Sequence, residues 1–324
     1  MQSNTKALLQ ASVAVLSWAT VATAFKMAQR GLTFFGLTFV ATLTAVALFA
    51  LYVTVERNWR TIRKFRAHQW SYFAILGLIN PTGYYLVLMK SYKLLPAQVA
   101  QPVNYIWPVA LVFLLAMFLN IKIEKRKYIG MLVSLIGVIV ISVGASNAGI
   151  SDYSDFGMGL FLAIFSAVLW AVYWMVNNQS SSQYSSSVQF FMGFMFGAIY
   201  QLMIAFVLEV PIFKEGVSQE VLREGVLWGI YAGLFEMGIP FICFGLALKN
   251  TTNPALVNQL CYLGPFLSLF FIANIVGERI LPATYIGLGL IVAGIIYNQY
   301  FTHLRLHWHF RHNPRRRRKF STAK

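Results

Sequence analysis

An all-α integral membrane protein of ten spans, built as two inverted halves of five, is the fold class that the sequence predicts. The composition, the distribution of basic residues between loops, and an internal repeat predict it. Of 324 residues, 58% are hydrophobic and only 11% charged, where soluble domains have roughly a quarter charged. This excludes a water-exposed globule, and it excludes a disordered chain, which needs low hydrophobicity. Cys243 and Cys261 are the only cysteines and both lie in apolar runs, which argues against a disulfide scaffold. A span takes about 20 apolar residues, so the chain has room for roughly ten and little for a soluble catalytic domain.

Apolar runs between polar breaks predict helices at 6–28, 33–55, 71–93, 97–120 and 128–146, then at 157–177, 187–209, 225–248, 254–275 and 283–301. Residues 7–25 mimic a signal peptide, because Lys6 precedes an apolar core and Ala22-Thr23-Ala24 has the form of a cleavage site. Cleavage there would leave nine helices and break the repeat, so the segment is taken as the first span. The expected organisation is a first five-helix repeat over 1–146, a linker at 147–156, a second repeat over 157–301 and a basic tail at 302–324.

Basic loops stay on the cytoplasmic side. With the amino terminus inside, that side holds Lys6, Arg57, Arg60, Arg63, Lys64, Arg66, Lys122, Lys125, Arg126, Lys127, Lys249 and eight basic residues of the tail, nineteen in all. The other side holds seven: Lys26, Arg30, Lys90, Lys93, Lys214, Arg223 and Arg279. Both termini are therefore expected in the cytoplasm. The tail supplies half of the net charge of +16. Directly after an apolar helix, such a run points to anionic lipid headgroups rather than nucleic acid.

Sliding the chain by 157 residues aligns 97–141 with 254–298 without a gap and makes ten of the 45 positions identical. They include Tyr105/Tyr262, Pro108/Pro265, Tyr128-Ile129-Gly130 with Tyr285-Ile286-Gly287, and Gly137/Gly294. An odd number of helices per copy forces the second copy to enter from the opposite side. Inverted halves are the usual architecture of carriers that expose one midplane site to each side in turn, although channels also use them.

Gly264-Pro265, Gly277-Glu278-Arg279, Tyr285-Ile286-Gly287 and Gly294 resemble the closing signature of the drug/metabolite transporter superfamily, EamA type. Asn104-Tyr105-Ile106-Trp107-Pro108 and Trp170-Ala171-Val172-Tyr173 resemble its aromatic amino-acid exporter branch. The resemblance implies a basket-like carrier of ten helices, a central cavity, and export of aromatic amino acids across the inner membrane. Two features depart from the pattern: the first half lacks a Gly-Glu-Arg, and the eighth helix carries an acid, Glu236.

Glu236 is the only acidic residue well inside an expected span, where a charge costs at least about 2.5–3.5 kcal/mol. Gly233, Gly238 and Pro240 loosen its helix. Such a carboxyl either binds a substrate ammonium or exchanges a proton, or else caps the broken segment or pairs with a buried group. In the fourth helix Gln98, Gln101, Asn104 and Tyr105 share a face, and in the ninth Asn258, Gln259 and Tyr262 match them. These amides either bond neighbouring helices or line a wet cavity. Tyr84, Tyr85, Tyr105, Trp107 and Trp170 lie within spans near polar or helix-breaking residues, placed to stack on a flat ring, to cradle an ammonium, or to pack against neighbouring helices. The candidate binding set is thus Tyr84, Tyr85, Gln101, Asn104, Tyr105, Trp107, Trp170, Glu236, Asn258, Gln259 and Tyr262. Ser17, Thr20 and Thr23 beside Trp18 have the spacing of helix packing.

Nothing supports an enzyme or a cofactor. His303, His307, His309 and His312 crowd the tail and His68 an expected loop, so no histidine falls in a span to serve a nucleophile. The expected function is export of small amphipathic metabolites, with aromatic amino acids first. A proton-coupled exporter of cationic drugs or amines, and a membrane scaffold or a flippase for lipid-linked headgroups, are the alternatives.

Overall fold

The computed structural model describes the backbone of residues 2–119, 125–148, 155–180, 183–251, 257 and 260–312. Among these residues the chain is helical and forms no strand beyond one isolated bridge, Leu32 to Phe213. Seven helical stretches are long and apolar enough to cross a membrane: Thr5–Gly31, Phe34–Val55, Ala67–Leu94, Tyr128–Asn147, Phe156–Val176, Ser186–Val207 and Gln219–Asn250. Leu263–Val276 and Pro282–Tyr297 are shorter apolar helices.

Helix α1 (Gln2–Gly31) is longer than expected at both ends, and Lys26, near the end of the expected span, lies well within it. Thr33 then caps α2 (Phe34–Val55), its hydroxyl accepting the Gly36 amide at 2.9 Å. A short α3 (Trp59–Arg63) leads to α4 (Ala67–Gly77). The third span, expected as one helix, is interrupted at Leu78–Gly83 by a π-type turn in which Asn80 is extended and Pro81 has no amide proton to give; it resumes as α5 (Tyr84–Leu94). The fourth is likewise two helices, α6 (Ala97–Asn104) and α7 (Trp107–Leu119), parted by a turn at Tyr105–Ile106 between Pro102 and Pro108.

After α8 (Lys125–Asn147), α9 (Phe156–Ser180) and α10 (Ser186–Val207), Ser218 caps α11 (Gln219–Ala232). A second π-type turn, Gly233–Gly238, separates α11 from α12 (Ile239–Asn250), where the glycines and Pro240 favour a break. A turn at Cys261–Tyr262 precedes α13 (Leu263–Phe271). The π-type segment Ile272–Val276 ends at Gly277, whose φ of 81° is a left-handed stop that suits glycine. Helix α14 (Pro282–His312) runs on into the expected tail.

Helices α8 and α14 form the most extensive pairing. A Cβ on Gly137 would stand 2.5 Å from the Gly287 carbonyl oxygen, one on Gly287 2.5 Å from the Gly137 oxygen, and one on Gly294 would collide with the Gly130 oxygen. Ser134 donates to the Ile291 carbonyl at 3.1 Å between them. Helix α1 packs on α11, α12 and α13, and α9 packs on α5, α6 and α7. Leu9, Leu16, Phe118 and Phe206 point outward, as lipid-facing side chains do.

The Gly31 end of α1, the α5–α6 turn and the Gly277–Leu281 turn meet on one face of the bundle, called here the Gly31 face. On the opposite face, Asn58 donates to Ser185 and Ser187, and Asn250 donates to Gln10.

Candidate functional site

Glu236 lies in the Gly233–Gly238 turn and is partly accessible. The Tyr85 hydroxyl donates to its carboxylate at 3.2 Å. The Trp18 indole donates to its backbone carbonyl at 3.3 Å, which lacks a helical donor four residues on because Pro240 has no N–H. The phenols of Tyr84, Tyr92 and Tyr105 are also within electrostatic range of the carboxyl. Among the described residues, no Lys, Arg or His acts on it.

Aromatic rings extend from this point. Tyr84 meets Tyr85 edge-on with centroids 4.6 Å apart and Trp170 at the same distance. Trp170 in turn stacks on Tyr173 at 5.5 Å and meets Phe241 edge-on at 5.8 Å. Trp18 is tilted against Phe244 at 5.5 Å. Rings from four helices, α1, α5, α9 and α12, thus gather beside the turn that carries the carboxyl, and surfaces of this kind can stack on flat rings or cradle a cation.

The amides of the fourth span serve two ends. Asn104 accepts from the Tyr84 hydroxyl at 3.3 Å and donates to Ser166 at 2.8 Å, joining α5, α6 and α9 beside the rings. Gln101 accepts from Ser268, which ties α6 to α13. Asn80 is fully buried; among the described residues neither polar atom of its side chain has a hydrogen-bond partner of good geometry, although the Tyr173 phenol is close enough to interact with it.

The structure thus brings together Tyr84, Tyr85, Asn104, Trp170 and Glu236. Tyr105, half-buried, sets its hydroxyl over Gly264, while Gln101 and Tyr262 are buried at the α6–α13 contact and the turn before α13. Trp107 packs against the core at the start of α7, and no ring pairs with it among the described residues. Asn258 and Gln259 lie outside the described residues. Sequence reasoning assigned Trp18 only to packing, and it missed Ser166, Phe241 and Asn80. An amide followed by proline in the apolar run 73–89 was the available signal for Asn80; Trp18, Ser166 and Phe241 carry none.

A helical membrane bundle whose spans break around one carboxyl has the construction of a carrier, in which interrupted helices expose backbone at a buried site. The EamA-like transporter family model matches residues 5–143 and again 157–298, and the chain belongs to that family. It is thus a membrane transporter of the drug/metabolite transporter superfamily, whose EamA members are transporters rather than enzymes. Among solved structures, the crystal structure of a protein 23% identical to this chain has the same fold, with a TM-score of 0.63 over 93% of this chain and 99% of that one. No curated protein matches it.

Proposed function

We propose that the protein is a ten-span carrier of two inverted five-helix halves that exports small, ring-bearing ammonium compounds by alternating access, in exchange for protons bound at Glu236. The nineteen-to-seven bias of basic residues supports cytoplasmic termini, and the resemblance to exporters of the superfamily supports the inner membrane. The basic tail then lies against anionic headgroups.

Three observations support the inverted halves. One family model matches twice, over segments of nearly equal length. The third and eighth spans both break in a π-type turn, at Leu78–Gly83 and Gly233–Gly238. The α8–α14 contacts are self-consistent under the offset of 157: the pair Gly130–Gly294 becomes Gly287–Gly137, and Ser134 is its own partner's equivalent through Ile291. Contacts that map onto themselves are what a two-fold axis between the halves requires.

The substrate class rests on one observation: the Glu236 carboxyl is held by the Tyr85 hydroxyl, with the Tyr84 phenol in electrostatic range and, among the described residues, no basic side chain acting on it. A bound ammonium supplies the missing positive charge and a proton replaces it on the return. Aromatic amino acids are the second reading, favoured by the Asn104–Ser166 pair beside Tyr84 and Trp170, which offers neutral polar groups to an α-carboxylate. Counterflow in proteoliposomes separates the two. Exchange of a labelled aryl-alkyl amine, abolished in Glu236→Gln, is the expected result. Exchange of tryptophan or phenylalanine alone, unchanged in that variant, overturns the amine reading in favour of the second.

A further inference from the structure

Lys26 and Glu278 are charged groups that bridge separate spans at the Gly31 face. Lys26 donates from α1 to the carbonyls of Tyr92 at 2.6 Å and Leu95 at 2.5 Å, the open C-terminal end of α5. Glu278, from the turn before α14, accepts the amides of Ala97 at 2.9 Å and Gln98 at 3.1 Å, the first free donors of α6. The Glu278 carboxylate lies within electrostatic range of Lys26. Gln98 completes the contact, donating to the Arg279 carbonyl and accepting from Leu281 and Thr284. One turn of chain, 94–97, is thus held from both sides by opposite charges, each on the helix end whose dipole it complements.

The three helices joined here lead inward to Glu236. On α1, Lys26, Ala22 and Trp18 share a face, with Thr23 one turn from Lys26, and Trp18 reaches the Glu236 carbonyl. Eight residues of helix span about 12 Å. On α5, Tyr92 and Tyr85 share a face, and Tyr85 holds the Glu236 carboxylate. On α6, Gln98, Gln101 and Tyr105 follow one another toward the same depth. Between the charges and the site stand the small side chains of Ala19, Ala22 and Thr23, all buried.

We infer that Lys26 and Glu278 are the latch that closes the Glu236 site toward the Gly31 face, and that their contacts with the 94–97 turn part whenever the site opens on that side. The inference rests on the alternating-access reading, but its test needs no substrate. A backbone carbonyl or amide is a weaker partner once its charged mate is removed, so either neutral variant shifts the balance toward the open form by about tenfold or more.

The measurement uses the full chain with Cys243→Ala and Cys261→Ala, reconstituted in nanodiscs, and a charged, water-soluble methanethiosulfonate. Thr23→Cys reports on the path beneath the latch, and Ser187→Cys, fully buried on the opposite face, reports on general loosening. Labelling at position 23 is expected to accelerate about tenfold in Glu278→Gln and in Lys26→Met, with position 187 unchanged or slower. Arg30→Gln, which removes an exposed charge one turn away, leaves both rates at the parental value. Equal acceleration at both positions makes the pair a mere structural brace and overturns the inference, as does an unchanged rate at position 23.

Discussion

The two interrupted spans use one backbone device for different chemistry. Leu78–Gly83 and Gly233–Gly238 are both π-type turns midway along a helix, and each packs on a neighbouring long helix, α10 for the first and α2 for the second. The first presents Asn80, neutral and fully buried. The second presents Glu236, partly accessible and held by Tyr85. The break is therefore common to both spans, whereas the charge belongs to only one of them.

The most severe way to test this contrast is to neutralise the charged break. Glu236→Gln keeps the shape and one acceptor for the Tyr85 hydroxyl but removes the counter-charge of a bound ammonium. Losing one partner of a desolvated charge pair costs about 3 kcal/mol or more, so amine affinity is expected to fall by roughly two orders of magnitude. Calorimetric titration of the purified protein reads the affinity, and counterflow at several pH values reads the coupling: the parental pH dependence should vanish with the activity. Affinity within a factor of two of the parent would show that the two breaks do not differ in the way their side chains suggest.

The glycine seam tests the opposite claim, that the halves are alike elsewhere. Gly137→Ala and Gly287→Ala each push a methyl group onto the other helix's carbonyl, and overpacking of this kind costs about 1–3 kcal/mol. Equal falls in melting temperature are expected for the two variants. Gly289→Ala, in the same helix as Gly287 but with open space at its Cβ, should leave it unchanged. Unequal falls would mean that the seam lacks the symmetry its contacts trace.

Much of this was legible in the sequence, and the exceptions share a cause. Glu236 stood out because an acid in an apolar run has no cheap explanation, and Gly233, Gly238 and Pro240 announced a broken helix around it. The face of Gln101, Asn104 and Tyr105 followed from helical spacing, but Trp107 did not join it, because the turn at Tyr105–Ile106 starts a new helix and ends that periodicity. Trp18 was unreadable: its partner is a carbonyl 218 residues away, and although Pro240 marks that carbonyl as lacking a helical donor, nothing in the sequence says which side chain reaches it. Lys26 was counted with the basic residues of the outer side because it lies near the end of its expected span, and only the folded chain shows which carbonyls it reaches.

Trp18 offers a milder test of the charged break. Trp18→Phe keeps the ring against Phe244 and deletes the donor to the Glu236 carbonyl, a loss of about 1 kcal/mol. The melting temperature should drop by a few degrees, and amine affinity should weaken by less than tenfold, because the carboxylate itself keeps its Tyr85 contact. A loss as deep as that of Glu236→Gln would make the indole, rather than the carboxyl, the principal binding group.

The smallest effect is expected at the neutral break. Among the described residues, Asn80→Ala gives up no hydrogen bond of ordinary geometry, only the looser interaction with the Tyr173 phenol, and it removes a fully buried amide. Removing a polar group under those conditions is close to neutral, within about 1 kcal/mol of either sign, since the lost packing of a short side chain offsets the desolvation it no longer suffers. The helix interruption should survive, because Pro81 still cannot donate within it. Amine counterflow and melting temperature near parental values would then separate the two breaks by chemistry alone. A loss of transport with an unchanged melting temperature would instead give Asn80 a place in the transport path and make the two halves functional counterparts.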